Sequence, residues 1–179
     1  MNHVDGDEHT ASRKLGLPQF KPASLAHLDT RLDELSDRAV QTMRDAGGEL
    51  DFSIDVALPY PLHVILKILG LPEDDYPRML QLTQQLFGGE DPDLQREELS
   101  PEAIGAILMD FMAYFSGVTI DRRTNPTDDL ASLIANGHLG DGPDAPPRGD
   151  LETIGYAIID ATAGPDTTPS AMTGGFRAL

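Results

Sequence analysis

Apolar residues recur at intervals of three and four along most of this chain, and glycine or proline closes nearly every such run. Leu25, Leu28, Leu32, Leu35 and Ala39 step in this way, with Asp29, Asp33, Glu34, Asp37 and Arg38 between them. That spacing predicts an amphipathic helix, ended by Gly47 and Gly48. Leu62, Ile65, Ile68 and Leu69 predict a second helix, stopped by Gly70 and Pro72, and Met79, Leu82, Leu86 and Phe87 a third, before Gly88 and Gly89. Ser100, followed by Pro101 and Glu102, reads as the cap of a longer helix whose buried face is Ile104, Ile107, Leu108, Phe111, Met112, Phe115 and Val118. A short helix from 128 to about 136 leads into a surface loop at 137–149, where Gly140, Gly142, Pro143, Pro146 and Pro147 exclude regular structure. Asp150 reads as the N-cap of a last helix whose stripe starts with Leu151, Ile154, Ile158 and Ile159. Only Leu50, Phe52, Ile54 and Val56 alternate with polar residues, which predicts at most a short strand. The fold class is mostly α.

With 179 residues, 40% of them hydrophobic, the chain has enough material for one domain with a real core, and no second domain is expected. A net charge of −17 excludes nucleic acid and anionic membrane as partners, because phosphate binding draws on clustered Lys and Arg. No stretch approaches the roughly 18 uninterrupted apolar residues of a membrane span, and the first thirty residues are too charged for a secretory signal. A cytoplasmic location is expected. There is no cysteine, hence no thiolate metal site and no cysteine nucleophile. Residues 9–28 contain no acid but include Arg13, Lys14 and Lys21. This basic island is either a chance gap in the acids or a docking surface for an acidic partner. No Gly-x-Ser-x-Gly elbow, His-Glu-x-x-His pair or Gly-rich phosphate loop is present, so hydrolase and nucleotide-binding readings have no support.

The last helix carries the chemistry. Ile159, Thr162, Ala163, Asp166 and Thr167 fall at i, i+3, i+4, i+7 and i+8 and share one face. Small residues beside a carboxylate and a hydroxyl suit a cavity wall better than a close-packed core. Gly164 weakens the helix here, and Pro165 and Pro169 lack N–H groups, which predicts a local bulge or kink. Spacing alone favours the plainer reading, a polar patch where a damaged helix meets solvent.

Ala163-Gly164-Pro165-Asp166-Thr167-Thr168 is similar to the Ala/Gly-Gly-x-Asp/Glu-Thr-Thr segment of the long central helix of cytochromes P450. Other stretches resemble the same family in the same order. Asp7-Glu8-His9-Thr10-Ala11-Ser12-Arg13 resembles its Pro-Glu-His-Thr-x-x-Arg stretch, followed by Phe20-Lys21-Pro22. The segment from Pro59 to Pro72 resembles Pro-x-Pro-x-x-Val-Ile with Leu-Gly-x-Pro, and Arg122-Arg123 with Asp128-Asp129-Leu130 precedes the loop as it does there. The likeness covers almost the whole chain and looks nearest to the soluble terpene-oxidising P450s.

The resemblance implies the central helical portion of the P450 fold, from propionate helix to oxygen-activation helix, and a haem b cofactor. It implies that Thr167 and Asp166 deliver protons to oxygen activated at the haem, and that Ile159, Thr162, Ala163 and Gly164 line the pocket of a small apolar substrate. His9 and Arg13, four residues apart on one helix face, would hold a haem propionate. The basic island at Arg13, Lys14 and Lys21 would receive an acidic ferredoxin-type redox partner. Pro165 departs from the polar or larger residue usual there, which leaves the relay's detailed geometry open. The family's Glu-x-x-Arg helix and cysteine loop have no counterpart here, and Leu179 falls inside a helical pattern. These features predict an interior fragment, truncated at both ends, that lacks an axial haem ligand and is inactive alone. The alternative is a non-catalytic helical remnant that binds a ligand or a partner.

Overall fold

The computed structural model describes residues 5–87, 100–138 and 146–178. Its helices are α1 (Gly6–Gly16), a short α2 (Pro22–Leu25), α3 (Asp29–Asp45), α4 (Pro59–Leu69), α5 (Tyr76–Phe87), α6 (Pro101–Thr124), α7 (Leu130–Ala135) and α8 (Asp150–Arg177). No strand occurs among the described residues, apart from one isolated bridge between His138 and Pro147. The mostly α reading holds. Part of the 137–149 loop, residues 139–145, lies outside the described residues, as do Gly88 and Gly89.

The chain divides into two compact units. The first comprises residues up to Leu25 together with Glu97–Asp160. Here α7 packs against α6 and α1. Ser100 caps α6 by accepting from the Ala103 N–H (3.2 Å), and Asp129 caps α7 by accepting from the Ser132 N–H (2.7 Å). The basic last turn of α6 is tied into this unit: Arg122 Nε donates to Asp129 Oδ2 (3.0 Å), and Arg123 Nε donates to the Ala135 carbonyl (3.0 Å). Ile107, Phe111, Phe115 and Thr119 are the buried face of α6, one residue per turn. Ile104 and Leu108, expected on that face, are instead 40% and 41% exposed. The apolar surface of α6 nearly encircles it, so periodicity did not fix which side is covered. By length and composition α6 is also able to cross a membrane, with an 18-residue window of mean hydropathy 1.6.

The second unit comprises Ala26–Arg96 and Ala161–Leu179. Gly47 and Gly48 leave α3 with φ of 67° and 106°, where a side chain would be strained. In place of the strand expected at 50–56, the chain is helical from Phe52, with a π-turn over Ser53–Ala57. The cause is a pair of carboxylates four residues apart. Asp51 Oδ1 accepts from the Ile54 N–H (3.1 Å) while Asp55 Oδ2 accepts from the Asp51 N–H (3.1 Å), so the helix start is satisfied reciprocally. Ile54, which a strand would have buried, is 62% exposed. Gly70 (φ 72°) ends α4 in a left-handed cap, with the Leu71 N–H on the Leu66 carbonyl (2.9 Å). Leu62, Leu66, Leu69, Met79 and Leu82 are buried, with Ile65 and Ile68 at the margin. Glu73 gathers Arg31, Arg38 (3.2 Å) and His63 (3.7 Å), and the two guanidinium groups hold its carboxyl below the usual carboxylate range.

Candidate functional site

The start of α8 is capped by Gly149. Its N–H donates to Glu152 Oε2 (3.0 Å), and its carbonyl accepts from Thr153 Oγ1 (2.9 Å). Asp150, expected to be the cap, is the first helical residue and pairs with Arg123 (2.5 Å). The helix then runs unbroken to Arg177, so the bulge expected near Gly164 and Pro165 does not interrupt it. Each proline removes one N–H, and the helix continues on either side.

Ile159, Thr162, Ala163, Gly164 and Thr167 therefore follow one another on a single helix, with Ile159, Thr162 and Gly164 half-buried and Ala163 and Thr167 exposed. Thr167 Oγ1 lies 3.5 Å from the Ala163 carbonyl, at the limit of a hydrogen bond, so the hydroxyl is only loosely engaged by its own helix. The backbone of Asp166 is helical; its side chain lies outside the described residues.

One group in this stretch escaped the reading of spacing. Asp160 follows Ile158 and Ile159 and precedes Ala161, and its Oδ2 is buried without a hydrogen-bond partner. Burial pushes its carboxyl up to about 7. The signal in the sequence was a lone acid inside an apolar run.

His9 and Arg13 lie one turn apart on α1, His9 half-buried and Arg13 exposed. Neither enters an ion pair among the described residues. Lys14 ends the same helix and Lys21 follows the next turn, both exposed. The adjoining face of α1 is locked to the beginning of α8. Arg148, 6% exposed, donates from Nη2 to Ser12 Oγ (2.6 Å) and lies 5.3 Å from the Tyr156 ring centroid. Burial, with Asp160 close by, raises the Tyr156 phenol; Arg148 and a backbone hydrogen bond at Gly16 pull it down by less. A Cβ on Gly16 would collide with the Tyr156 hydroxyl. Gly16→Ala is accordingly expected to lower stability by about 1–3 kcal/mol in urea unfolding. Tyr156→Phe in the same chain should recover part of that loss.

No family model matches the chain. Among curated proteins it is 40% identical over 186 residues to cytochrome P450-terp of a Pseudomonas species, an alignment covering 100% of this chain and 42% of that protein. The chain belongs to the cytochrome P450 family. Its fold agrees. CYP108D1 from Novosphingobium aromaticivorans superposes with a TM-score of 0.75 at 42% identity, over 93% of this chain and 37% of that one. A Mycobacterium marinum cytochrome P450, CYP268A2, solved with pseudoionone, gives 0.82 at 26% identity, over 95% and 40%. This P450 chain spans about two fifths of the length of the curated relatives it matches.

Proposed function

We propose that this P450 chain contributes the oxygen-activation helix and a propionate-binding helix to a haem-dependent monooxygenase that inserts one oxygen atom of O2 into a small apolar, terpene-like substrate. The observation that supports this most is the unbroken run of α8 through Thr162, Ala163, Gly164 and Thr167, with a loosely held threonine hydroxyl on an exposed face.

The donor set on α1 fits the carboxylate edge of a haem: an imidazole and a guanidinium one turn apart, the latter exposed and outside any ion pair among the described residues. The 179 residues contain no cysteine, so none of them would supply a thiolate to the haem iron. When bound, haem supplies the redox chemistry that activates O2. The residues of this chain do the rest. Thr167 Oγ1 holds and passes a proton at the face of α8, and Asp166, its neighbour in sequence, connects it to solvent. Ile159, Thr162, Ala163 and Gly164 form the substrate wall. Arg13, Lys14 and Lys21, exposed at the end of α1 and just beyond, receive an acidic ferredoxin-type partner whose charge they complement. In this reading α6 is a core helix of a cytoplasmic protein. Its buried residues repeat once per turn, and Arg122 and Arg123 at its end are committed to α7 and its flanks.

These 179 residues are expected not to catalyse by themselves. A reduced, carbon-monoxide-treated sample mixed with haem should lack the Soret band of a thiolate-ligated haem; its appearance would refute that expectation.

A further inference from the structure

We propose that the cavity between α3 and α4 is a binding site for a small tetrahedral oxyanion of the phosphate class, held by Lys67, His63 and Arg31. The cavity has a volume of about 260 Å³, enough for such an ion and a few further atoms, and all of its lining residues belong to the second compact unit. His63 and Lys67 stand four residues apart on one face of α4. Arg31 reaches the cavity from α3, its side chain only 16% exposed. Glu34 and Glu73 also line it. The site shares no residue with the haem, substrate and redox-partner sites proposed above, and it does not depend on the monooxygenase reading.

An excess of donors over acceptors points to an anion. Arg31, Arg38 (3.2 Å) and His63 (3.7 Å) all converge on one oxygen, Glu73 Oε1. A carboxylate oxygen has two lone pairs, so the two guanidinium groups saturate it. His63 is left beyond hydrogen-bond reach. Its Nδ1 is buried with no partner, while its ring stacks on Tyr76 with centroids 4.2 Å apart and planes 11° from parallel. Burial lowers the His63 pKa, so near neutral pH the ring is uncharged and, protonated on Nδ1, serves as a donor. Glu34 is already engaged by Arg31 (3.0 Å). Lys67, exposed at the rim, enters no ion pair among the described residues and brings three more N–H donors. Three permanent cations, Arg31, Arg38 and Lys67, thus stand around two carboxylates, a local positive surplus on a chain of net charge −17. A phosphate offers four oxygens in different directions, which suits donors arriving from two helices better than the planar pair of a carboxylate.

The test titrates the 179-residue chain with inorganic phosphate by calorimetry, at fixed pH and with ionic strength held constant by sodium chloride so that general screening does not change. One saturable site is expected. Lys67→Ala, at an exposed position where the fold tolerates it, should weaken binding roughly tenfold, as for loss of one charge-assisted hydrogen bond. His63→Phe keeps the stacking on Tyr76, removes Nδ1 and should weaken binding by a similar factor. Arg44→Ala, in the last turn of α3 and outside the cavity, should leave it unchanged. Acetate should bind roughly tenfold more weakly than phosphate. Glycerol 1-phosphate separates the two sources of this chemistry: binding as tight as that of phosphate assigns the site to a phosphate ester, and weaker binding assigns it to the free ion. No saturable binding, unchanged affinity in Lys67→Ala, or an equal loss in Arg44→Ala overturns the site. Acetate binding as tightly as phosphate overturns the tetrahedral class.

Discussion

Phe111→Ala is expected to lower the unfolding free energy by about 3–5 kcal/mol, enough to unfold a marginally stable unit at ambient temperature. Phe111 is wholly buried on α6, and its ring lies nearly parallel to that of Phe115 with centroids 6.4 Å apart. Truncation removes the transfer energy of a ring and leaves a void beside the wholly buried Phe115. Leu108 supplies the control. It shares the three-and-four periodicity of α6 but is 41% exposed, so Leu108→Ala should change stability by no more than about 1 kcal/mol. Urea unfolding followed by helical circular dichroism separates the two. Similar losses for both would mean that the buried face of α6 is wider than Ile107, Phe111, Phe115 and Thr119.

The second large effect concerns pH. Asp160 titrates near 3.8 in an unfolded chain and near 7 in the fold, where burial disfavours its charged form. Between these values the folded chain keeps a proton that the unfolded chain has released. Stability contributed by Asp160 is therefore fully present below pH 4, falls as pH rises toward 7, and is flat above that. The full fall is roughly 2–4 kcal/mol. Asp160→Asn removes the titration and keeps the shape. Its stability relative to wild type should rise across pH 4 to 7 by that amount, and other carboxylates cancel in the difference. Parallel profiles for the two proteins would show that the Asp160 carboxyl is well solvated.

Helices with firm punctuation were legible in the sequence. Gly47 and Gly48 after α3, Gly70 after α4, and Ser100 before α6 each act within a few residues, and spacing located them. Asp51 and Asp55 misled because alternating apolar residues masked a reciprocal cap, and the backbone followed the cap. Gly149 displaced Asp150 as the cap of α8 because Glu152 folds back onto the Gly149 N–H, an arrangement that a search for capping side chains overlooks. The face of α6 was ambiguous for a different reason: nearly every side is apolar, so only packing decides.

The candidate site divides in the same way. Thr167, Thr162 and Ala163 came from a local motif, and the helix that carries them is continuous where Gly164 and Pro165 predicted a bulge or kink. The lock on α1 was invisible, since Arg148 and Ser12 are 136 residues apart and nothing local marks either as a partner of the other. Asp160 was passed over because one acid in an apolar run resembles a solvent-facing position until its burial is known.

Proton delivery by Thr167 is most directly tested in the haem-loaded protein by counting electrons consumed against product and hydrogen peroxide formed. Thr167→Ala should reduce product formation by about a hundredfold, within the range for loss of one positioned proton donor, while peroxide release rises and Thr167→Ser stays near wild type. Unchanged coupling of electrons to product in Thr167→Ala would contradict the assignment of α8 as the oxygen-activation helix.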